Sequence, residues 1–272
     1  MNVCSTINYA IRAIRIGGLS FTNFRKQDSF LDNQKKRSIL QAVFNLFSSI
    51  IKIFMKKPTL TLKFLQKEAA KFAEVESAYD EPSLYGVTDG KAVGTYLEHK
   101  FTAYLSQHYA YERGNSASGI DFPQLGVDMK VTSIKQPQSS CPYKSASQKI
   151  YGLGYNLLVF VYDKNDDHEN RTGRLNMQHT IFVNKEQTAD YQMTRGILEI
   201  LKNDGNEDDL IAFMQDRNLP VDDIESRSIA KEILENPPEQ GYLTISNALQ
   251  WRLQYGRVIQ KADEVDGVRR IK

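Results

Sequence analysis

The sequence predicts an α/β fold in which a sheet packs against helices, followed by a helical C-terminal half. Two segments with helical apolar spacing come first, and a continuous apolar run typical of a buried strand lies near the middle. Mostly helical patterns follow residue 185, and no internal repeat interrupts this order. Because strand patterns fall between helical ones, we expect a single sheet that is covered by helices.

The first two elements are predicted to be amphipathic helices. Residues 59–77 place apolar side chains at intervals of three and four, and Asp80-Glu81-Pro82 ends the pattern. Asp89-Gly90 begins a second helix over residues 91–109, again with one apolar face. Each helix therefore has one side that must be buried against another element.

Two short strands are expected next, at residues 120–123 and 127–133, joined by Gln124-Leu125-Gly126 as a hairpin turn. A polar connection over residues 134–142 then leads to a short helix at residues 145–150. The hairpin matters for function because it would bring the beginning of its first strand close to the second strand.

The strongest strand prediction is Asn156-Leu-Leu-Val-Phe-Val-Tyr162, whose continuous apolar character is typical of a strand buried on both faces. A charged turn over residues 163–174 separates it from another strand at 179–183. Helices are predicted after that at residues 185–202, 207–217, 226–234 and 246–261.

The composition excludes several classes of protein. Of the 272 residues, 41% are apolar and 25% charged, unlike collagen or a disordered chain. Cys4 and Cys141 are too few for a disulfide framework or a four-ligand zinc site. No targeting signature fits the sequence, so we expect a cytoplasmic protein.

The basic N-terminal segment, residues 1–57, is expected to be an appendage or the product of an incorrectly assigned start. It has ten Lys and Arg against two Asp, a net charge of +8, whereas residues 58–272 carry −6. Residues 38–55 are hydrophobic but short for a membrane span, and they include Asn45 and Lys52. Translation from Met55 is one explanation, and a membrane anchor is the less favoured one.

The segment from Gly119 to Ser133, G-I-D-F-P-Q-L-G-V-D-M-K-V-T-S, is the one that predicts chemistry. A hairpin would bring Asp121 and Asp128 together, and Lys130 would share a face with Asp128. Two adjacent carboxylates repel each other unless a cation lies between them, and oxygen ligands with room for water suit Mg²⁺. A neighbouring ammonium can orient a metal-polarised water and stabilise charge on a phosphate oxygen.

This arrangement resembles the active site of the PD-(D/E)xK nuclease superfamily, and type II restriction endonucleases look closest. The resemblance covers roughly residues 98–162 and the order of the elements, with Ile120 where the family name has Pro. It implies that Asp121 and Asp128 bind Mg²⁺ and that Lys130 assists the attacking water. It further implies that Glu98, on the preceding helix, is a third acid that completes the metal site.

The resemblance also implies a fold, a reaction and partners. A restriction-endonuclease-like core, a mixed central sheet flanked by helices, would occupy residues 58–184, and a helical region for DNA recognition or dimerisation would occupy 185–272. The reaction would be Mg²⁺-dependent, site-specific hydrolysis of double-stranded DNA. Cutting a short palindromic site implies a homodimer, and a DNA methyltransferase that protects host DNA would be the genetic partner.

Polar and basic residues after the motif are candidates for DNA contact. Residues 130–149 contain four lysines and no acid, within an otherwise acidic body. Such side chains contact phosphate oxygens and base edges, although a surface loop has the same composition. The candidates are Ser133, Lys135, Gln138, Lys144, Gln148 and Lys149.

The predicted last helix is the second candidate for DNA contact. Its polar face would consist of Asn247, Gln250, Gln254 and Arg257. Asn and Gln pair with adenine and Arg pairs with guanine, so this face fits a major groove. A polar face is also the ordinary property of a surface helix.

Three alternatives stay open on the sequence alone. The first is a repair or junction-resolving nuclease of the same superfamily. The second is a non-catalytic DNA-binding protein, which would bind DNA through the last helix in the presence of EDTA. The third is a membrane-associated protein anchored by residues 38–55.

Overall fold

The computed structural model of the chain describes residues 57–114, 119–142, 144–246 and 251–272. Strands described there are β1 (Asp80–Glu81), β2 (Val127–Ser133), β3 (Gln138–Cys141), β4 (Asn156–Asp167), β5 (Thr172–Val183), β6 (Thr244–Ile245), β7 (Trp251–Gln254) and β8 (Val268–Arg270). The α-helices are α1 (Leu62–Ser77), α2 (Gly90–His108), α3 (Gln148–Tyr151), α4 (Tyr191–Lys202), α5 (Glu207–Asp216), α6 (Asp223–Glu235) and α7 (Gly256–Lys261).

The central sheet is mixed and has five strands. Its path runs β1-β5-β4-β2, and β8 also pairs with β5. β2 lies parallel to β4, whereas the other neighbours in this sheet are antiparallel. A mixed sheet between layers of other structure agrees with the restriction-endonuclease-like core expected from the sequence.

Strand β4 is buried on both faces, as its apolar run predicts. Alternate side chains point to opposite sides of a strand. Leu158 and Phe160 therefore join the cluster that contains α1 and α2, while Val159 and Val161 join a second cluster on the other side. Burying both faces accounts for the absence of polar alternation in this part of the sequence.

The second cluster is covered by a small antiparallel sheet in the order β3-β7-β6 and by α7. Trp251 and Leu253 of β7 are buried there, and Tyr255 follows them into the same cluster. Helices α4, α5 and α6 form a third cluster with Ala146 and Ile150. The C-terminal region is thus helical in its first part, whereas its second part combines short strands with the six-residue helix α7.

The structure corrects the prediction of a helix over residues 246–261. Residues 251–254 form β7, paired with β3, and the helix begins only at Gly256. The sequence Trp-Arg-Leu-Gln alternates apolar and polar residues, and its buried and exposed positions alternate in the same way. Asn247 and Gln250, two members of the predicted polar helix face, lie outside the described residues.

Three other local predictions are also corrected. Residues 120–123 do not form a strand: a single bridge joins Phe122 to Val127, and Pro123–Leu125 is a 3₁₀ turn. The predicted polar connection contains β3, which needs its partner β7 to form. The predicted charged turn is mostly a continuation of β4 and β5, because its polar residues alternate toward solvent along a two-stranded ribbon.

Within the described ranges, no helix is long and apolar enough to cross a membrane. The hydrophobic run at residues 38–55, on which the anchor alternative depends, lies outside those ranges.

Candidate active site

The candidate site lies at the beginning of β2, an edge strand of the central sheet that packs against α2. Asp128 and Lys130 are alternate residues of this strand, so their side chains leave it on the same face. Asp121 precedes the 3₁₀ turn that leads into the strand, and Glu98 is on α2. The structure thus brings together the four residues that the sequence singled out for catalysis.

Asp121 and Asp128 are in direct contact. Their carboxyl groups share a hydrogen bond, and Asp121 Oδ2 also accepts one from the backbone N–H of Met129 at 2.8 Å. The tight turn over Pro123–Leu125, ended by Gly126 at a φ of 59°, brings the two residues together. A left-handed φ favours glycine, which explains the residue at this position.

Burial and charge repulsion perturb this pair. Burial raises the pKa of Asp121 to about 7, with further contributions from the hydrogen bond and charge of Asp128 and from the charge of Glu98. Two carboxyl groups in contact cannot both be ionised at low cost unless a cation neutralises them. Without a bound cation, the pair therefore keeps a proton to a higher pH than an isolated aspartate would.

Lys130 is paired with Asp128. Its Nζ lies 2.8 Å from Asp128 Oδ2, and its side chain is 20% exposed. Burial alone would lower the pKa of this ammonium, but Asp128 and Asp121 together keep the pKa above its usual value. A permanently charged ammonium is thus fixed beside the carboxylates and open to a ligand from one side.

Glu98 lies close enough to Lys130 and Asp128 for their charges to affect its pKa. Burial raises the pKa of Glu98, the charge of Lys130 opposes that shift, and the charge of Asp128 adds to it. Within the described residues, however, no group of three or more His, Cys, Asp or Glu is arranged to hold a metal ion. The predicted third ligand is therefore near the pair without forming a three-acid cluster.

The donor set still fits a hard divalent cation. Mg²⁺ is bound in proteins by one or two carboxylates, with water and substrate phosphate as its other ligands. The Asp121–Asp128 pair, in which Asp128 is buried and Asp121 half-buried, offers two carboxylates and lacks one neutralising charge, since Lys130 balances only one of them.

Four residues beside the site were not predicted from the sequence to belong to it. Cys141 Sγ lies 3.6 Å from Tyr155 Oη, and Ser139 Oγ lies 2.5 Å from Tyr255 Oη. Burial raises the pKa of both tyrosines, and the charge of Asp128 contributes to each shift. Cys141, Tyr155 and Tyr255 belong to the second hydrophobic cluster, so this cluster extends to the candidate site, and nothing local in the sequence signals that position.

The predicted DNA contacts fall into exposed and buried groups. Lys135 and Lys144 are exposed, and Ser133 and Gln138 are half-buried. Lys135 makes only a long ion pair, at 3.7 Å, with Asp163. These four side chains are accessible to a ligand along the edge of β2 and β3.

Gln148 and Lys149 are instead buried. Gln148 Oε1 accepts a hydrogen bond from the N–H of Lys144, and its Nε2 donates to the C=O of Leu153, each at 3.2 Å. Burial lowers the pKa of Lys149, an effect that nearby Asp190 opposes. The sequence does not reveal this because the covering residues are distant along the chain.

Gln254 and Arg257, predicted to share a helix face, lie on different elements. Gln254 is exposed on β7, and Arg257 is half-buried on α7 with its guanidinium 3.7 Å from the centre of the Tyr191 ring.

Removing divalent metal is expected to make stability depend on pH through Asp121. The unfolded chain releases this proton at about pH 4, whereas the folded chain holds it to about 7. Between these values the folded state binds more protons, so raising the pH destabilises it. We expect the Tm of Asp121→Asn in EDTA to increase relative to that of wild type as the pH rises from about 4 to about 7. A difference that stays constant would contradict the assignment.

Comparison with known proteins gives one clear family. The model of a family described as type II restriction enzyme NspV matches residues 59–270. Type II restriction enzyme NspV from Nostoc sp. (strain ATCC 29411 / PCC 7524) is 68% identical over 209 residues, which are 77% of this chain and 95% of that enzyme. No solved structure matches the chain significantly.

Proposed function

Because the chain belongs to the NspV family of type II restriction enzymes and is a site-specific deoxyribonuclease, we propose that Asp121, Asp128 and Lys130 form its catalytic centre. The observation that supports this is the carboxyl pair, buried at Asp128 and half-buried at Asp121, beside a charged lysine. Family membership selects restriction over the repair and non-catalytic alternatives.

Asp121 and Asp128 would hold the divalent cation, which we propose is Mg²⁺. When bound, such an ion supplies an activated water and stabilises negative charge on the phosphate. Its positive charge also relieves the repulsion that raises the pKa of Asp121. Metal binding and loss of the shared proton are therefore coupled.

Lys130 would stabilise charge on the reacting phosphate and orient the attacking water. Its pairing with Asp128 holds the ammonium at one place, so little reorganisation is needed when substrate arrives. Glu98 adds negative charge to the same site, which increases its attraction for a cation. In this proposal Glu98 supports the metal site from α2, whereas the two aspartates contact the ion.

DNA would lie along the exposed edge beside β2. Ser133, Lys135 and Lys144, which are exposed or half-buried, would contact phosphates, and such contacts position the duplex without reading its sequence. Gln148 and Lys149 are left out of this proposal because both are buried.

The domain boundaries follow from these roles. Residues 58–184 would be the catalytic core, and residues 185–272 would serve recognition, dimerisation or both. The family match begins at residue 59, which supports treating residues 1–57 as an appendage or an incorrectly assigned start. A cytoplasmic homodimer and a cognate DNA methyltransferase complete the proposal, since a two-fold enzyme matches a palindromic site.

The direct test is digestion of phage λ DNA by the purified full chain, with Mg²⁺ or with EDTA. We expect discrete bands with Mg²⁺ and intact DNA with EDTA, and sequencing of the fragment ends would give the recognition site. Cleavage that persists in EDTA would contradict the proposed metal chemistry. A smear instead of bands would contradict site-specific action.

A further inference from the structure

The small sheet of β3, β7 and β6 has one polar face turned away from the core. Directly opposed residues in an antiparallel pair point to the same side. The register pairs Gln138 with Gln254, Ser140 with Arg252, and Thr244 with Gln254. We call these five residues the outer face. None of the three strands contains an acidic residue.

The opposite side of this sheet is anchored firmly. Trp251 and Leu253 are at most 1% exposed, and Ile245 is also buried. Ser139 points inward to Tyr255, and Asp190 Oδ2 accepts the backbone N–H of Ile245 at 2.7 Å. The outer face is therefore presented by a rigid element, as a recognition surface requires.

Three side chains of the outer face make no hydrogen bond or ion pair within the described chain. Arg252 and Gln254 are exposed. In the part of the chain that the structure describes, no side-chain hydrogen bond or ion pair engages Arg252, Gln254 or Gln138, and only backbone atoms of these residues are bonded. Among the described residues, therefore, none pairs with the guanidinium of Arg252 or with the amides of Gln138 and Gln254.

We propose that the outer face reads base edges in the major groove of DNA, with Arg252 and Gln254 as specificity-determining residues. This inference rests on the proposed function, since its substrate is the double-stranded DNA cut at the candidate active site. Arg pairs bidentately with guanine and Gln with adenine. The major groove admits a β-ribbon as well as a helix. Residues 251–254 can therefore read base edges as a strand, although they do not form the predicted helix.

The spacing of these side chains suits DNA. Alternate residues on a strand are about 6.8 Å apart, close to twice the base-pair rise of about 3.4 Å. Arg252 and Gln254 can therefore address bases two steps apart. Gln138 lies beside Gln254 on the neighbouring strand and widens the contact.

The outer face is also joined to the catalytic strand. Gln138 donates its backbone N–H to Thr132 Oγ1 of β2 at 2.9 Å, and its backbone C=O lies 3.1 Å from the same hydroxyl, which donates to it. The sheet that carries the outer face is therefore packed against β2, the strand that carries Asp128 and Lys130.

The experiment compares Arg252→Ala, Arg252→Lys, Gln254→Ala and wild type, all as full-length chains. One labelled duplex contains the site mapped on λ DNA and the other a scrambled sequence. Affinity for each is measured in Ca²⁺, and single-turnover cleavage in Mg²⁺. Arg227→Ala is the matched control, because Arg227 is an exposed arginine on α6 with a 3.7 Å ion pair to Glu207. Thermal melting verifies that each variant is folded.

We expect each variant, including Arg252→Lys, to lose about 10- to 100-fold of its preference for the specific duplex. Affinity for the scrambled duplex should change little in Arg252→Lys, since the charge is kept. The proposal would be overturned if Arg252→Ala lowered the affinity for both duplexes equally while Arg252→Lys bound like wild type. That result would identify Arg252 as a phosphate contact. Unchanged preference in folded variants would also overturn the proposal. Failure of wild type to cut DNA in Mg²⁺ would count against the proposed function. The binding measurement in Ca²⁺ tests base reading separately, because it does not depend on cleavage.

Discussion

Replacing Asp128 by Asn is expected to abolish DNA cleavage while DNA binding is retained. The change removes one of the two carboxylates proposed to hold the metal and the partner of Lys130 at 2.8 Å. Lys130→Ala should lower the cleavage rate by about 10²- to 10³-fold, the usual cost of losing one group that stabilises transition-state charge. Asp128→Asn should cost at least as much, because it disturbs both functions.

The measurement is single-turnover cleavage of DNA carrying the mapped site in Mg²⁺, paired with binding in EDTA. Asp80→Asn is the control. Asp80 lies away from the site, where it forms an exposed ion pair with Arg174 at a distance of 2.8 Å. It should cut at the wild-type rate. An Asp128→Asn protein that cleaves DNA normally would refute the assignment of the site.

The second large effect is expected on stability, from Phe101→Ala. Phe101 is fully buried on α2, and its ring centroid lies 5.0 Å from that of Phe72 and 5.3 Å from that of Phe160. It also meets Phe122 edge-on, next to Asp121. Truncating a phenylalanine in such a core costs about 3–5 kcal/mol of the free energy of unfolding.

Urea denaturation would measure this loss, with Phe64→Ala as the matched control. Phe64 is 40% exposed, so its truncation should cost less than about 1 kcal/mol. We further expect the Phe101 variant to cut DNA more slowly, because the cavity lies beneath the turn that positions Asp121. Similar stabilities for the two variants would contradict the packing described for α2.

The proximity of Asp128 and Lys130 could be predicted because the two residues are close together in the sequence. Asp128 and Lys130 are two residues apart, so any strand puts them on one face. The proximity of Asp121 was also predicted, but the reason given was incomplete. A 3₁₀ turn with left-handed Gly126 brings it there, and only one bridge of the expected hairpin forms.

At residues 251–254 the local sequence pattern does not determine whether the chain forms a helix or a strand. A run of four residues with two apolar positions fits a helix face and a strand face almost equally. Pairing with β3, more than a hundred residues earlier, selects the strand. The burial of Gln148 and Lys149 has a similar origin, since Asp190 and its neighbours cover that helix from a distant part of the chain.

The central claim, that Asp121 and Asp128 hold the catalytic cation, is tested most directly by metal binding itself. Mn²⁺, a spectroscopic substitute for Mg²⁺, can be titrated by electron paramagnetic resonance into wild type and into the Asp121→Asn/Asp128→Asn double variant, with and without duplex DNA. We predict a site in wild type that the folded double variant lacks under both conditions. Equal Mn²⁺ binding by the two proteins would contradict the claim.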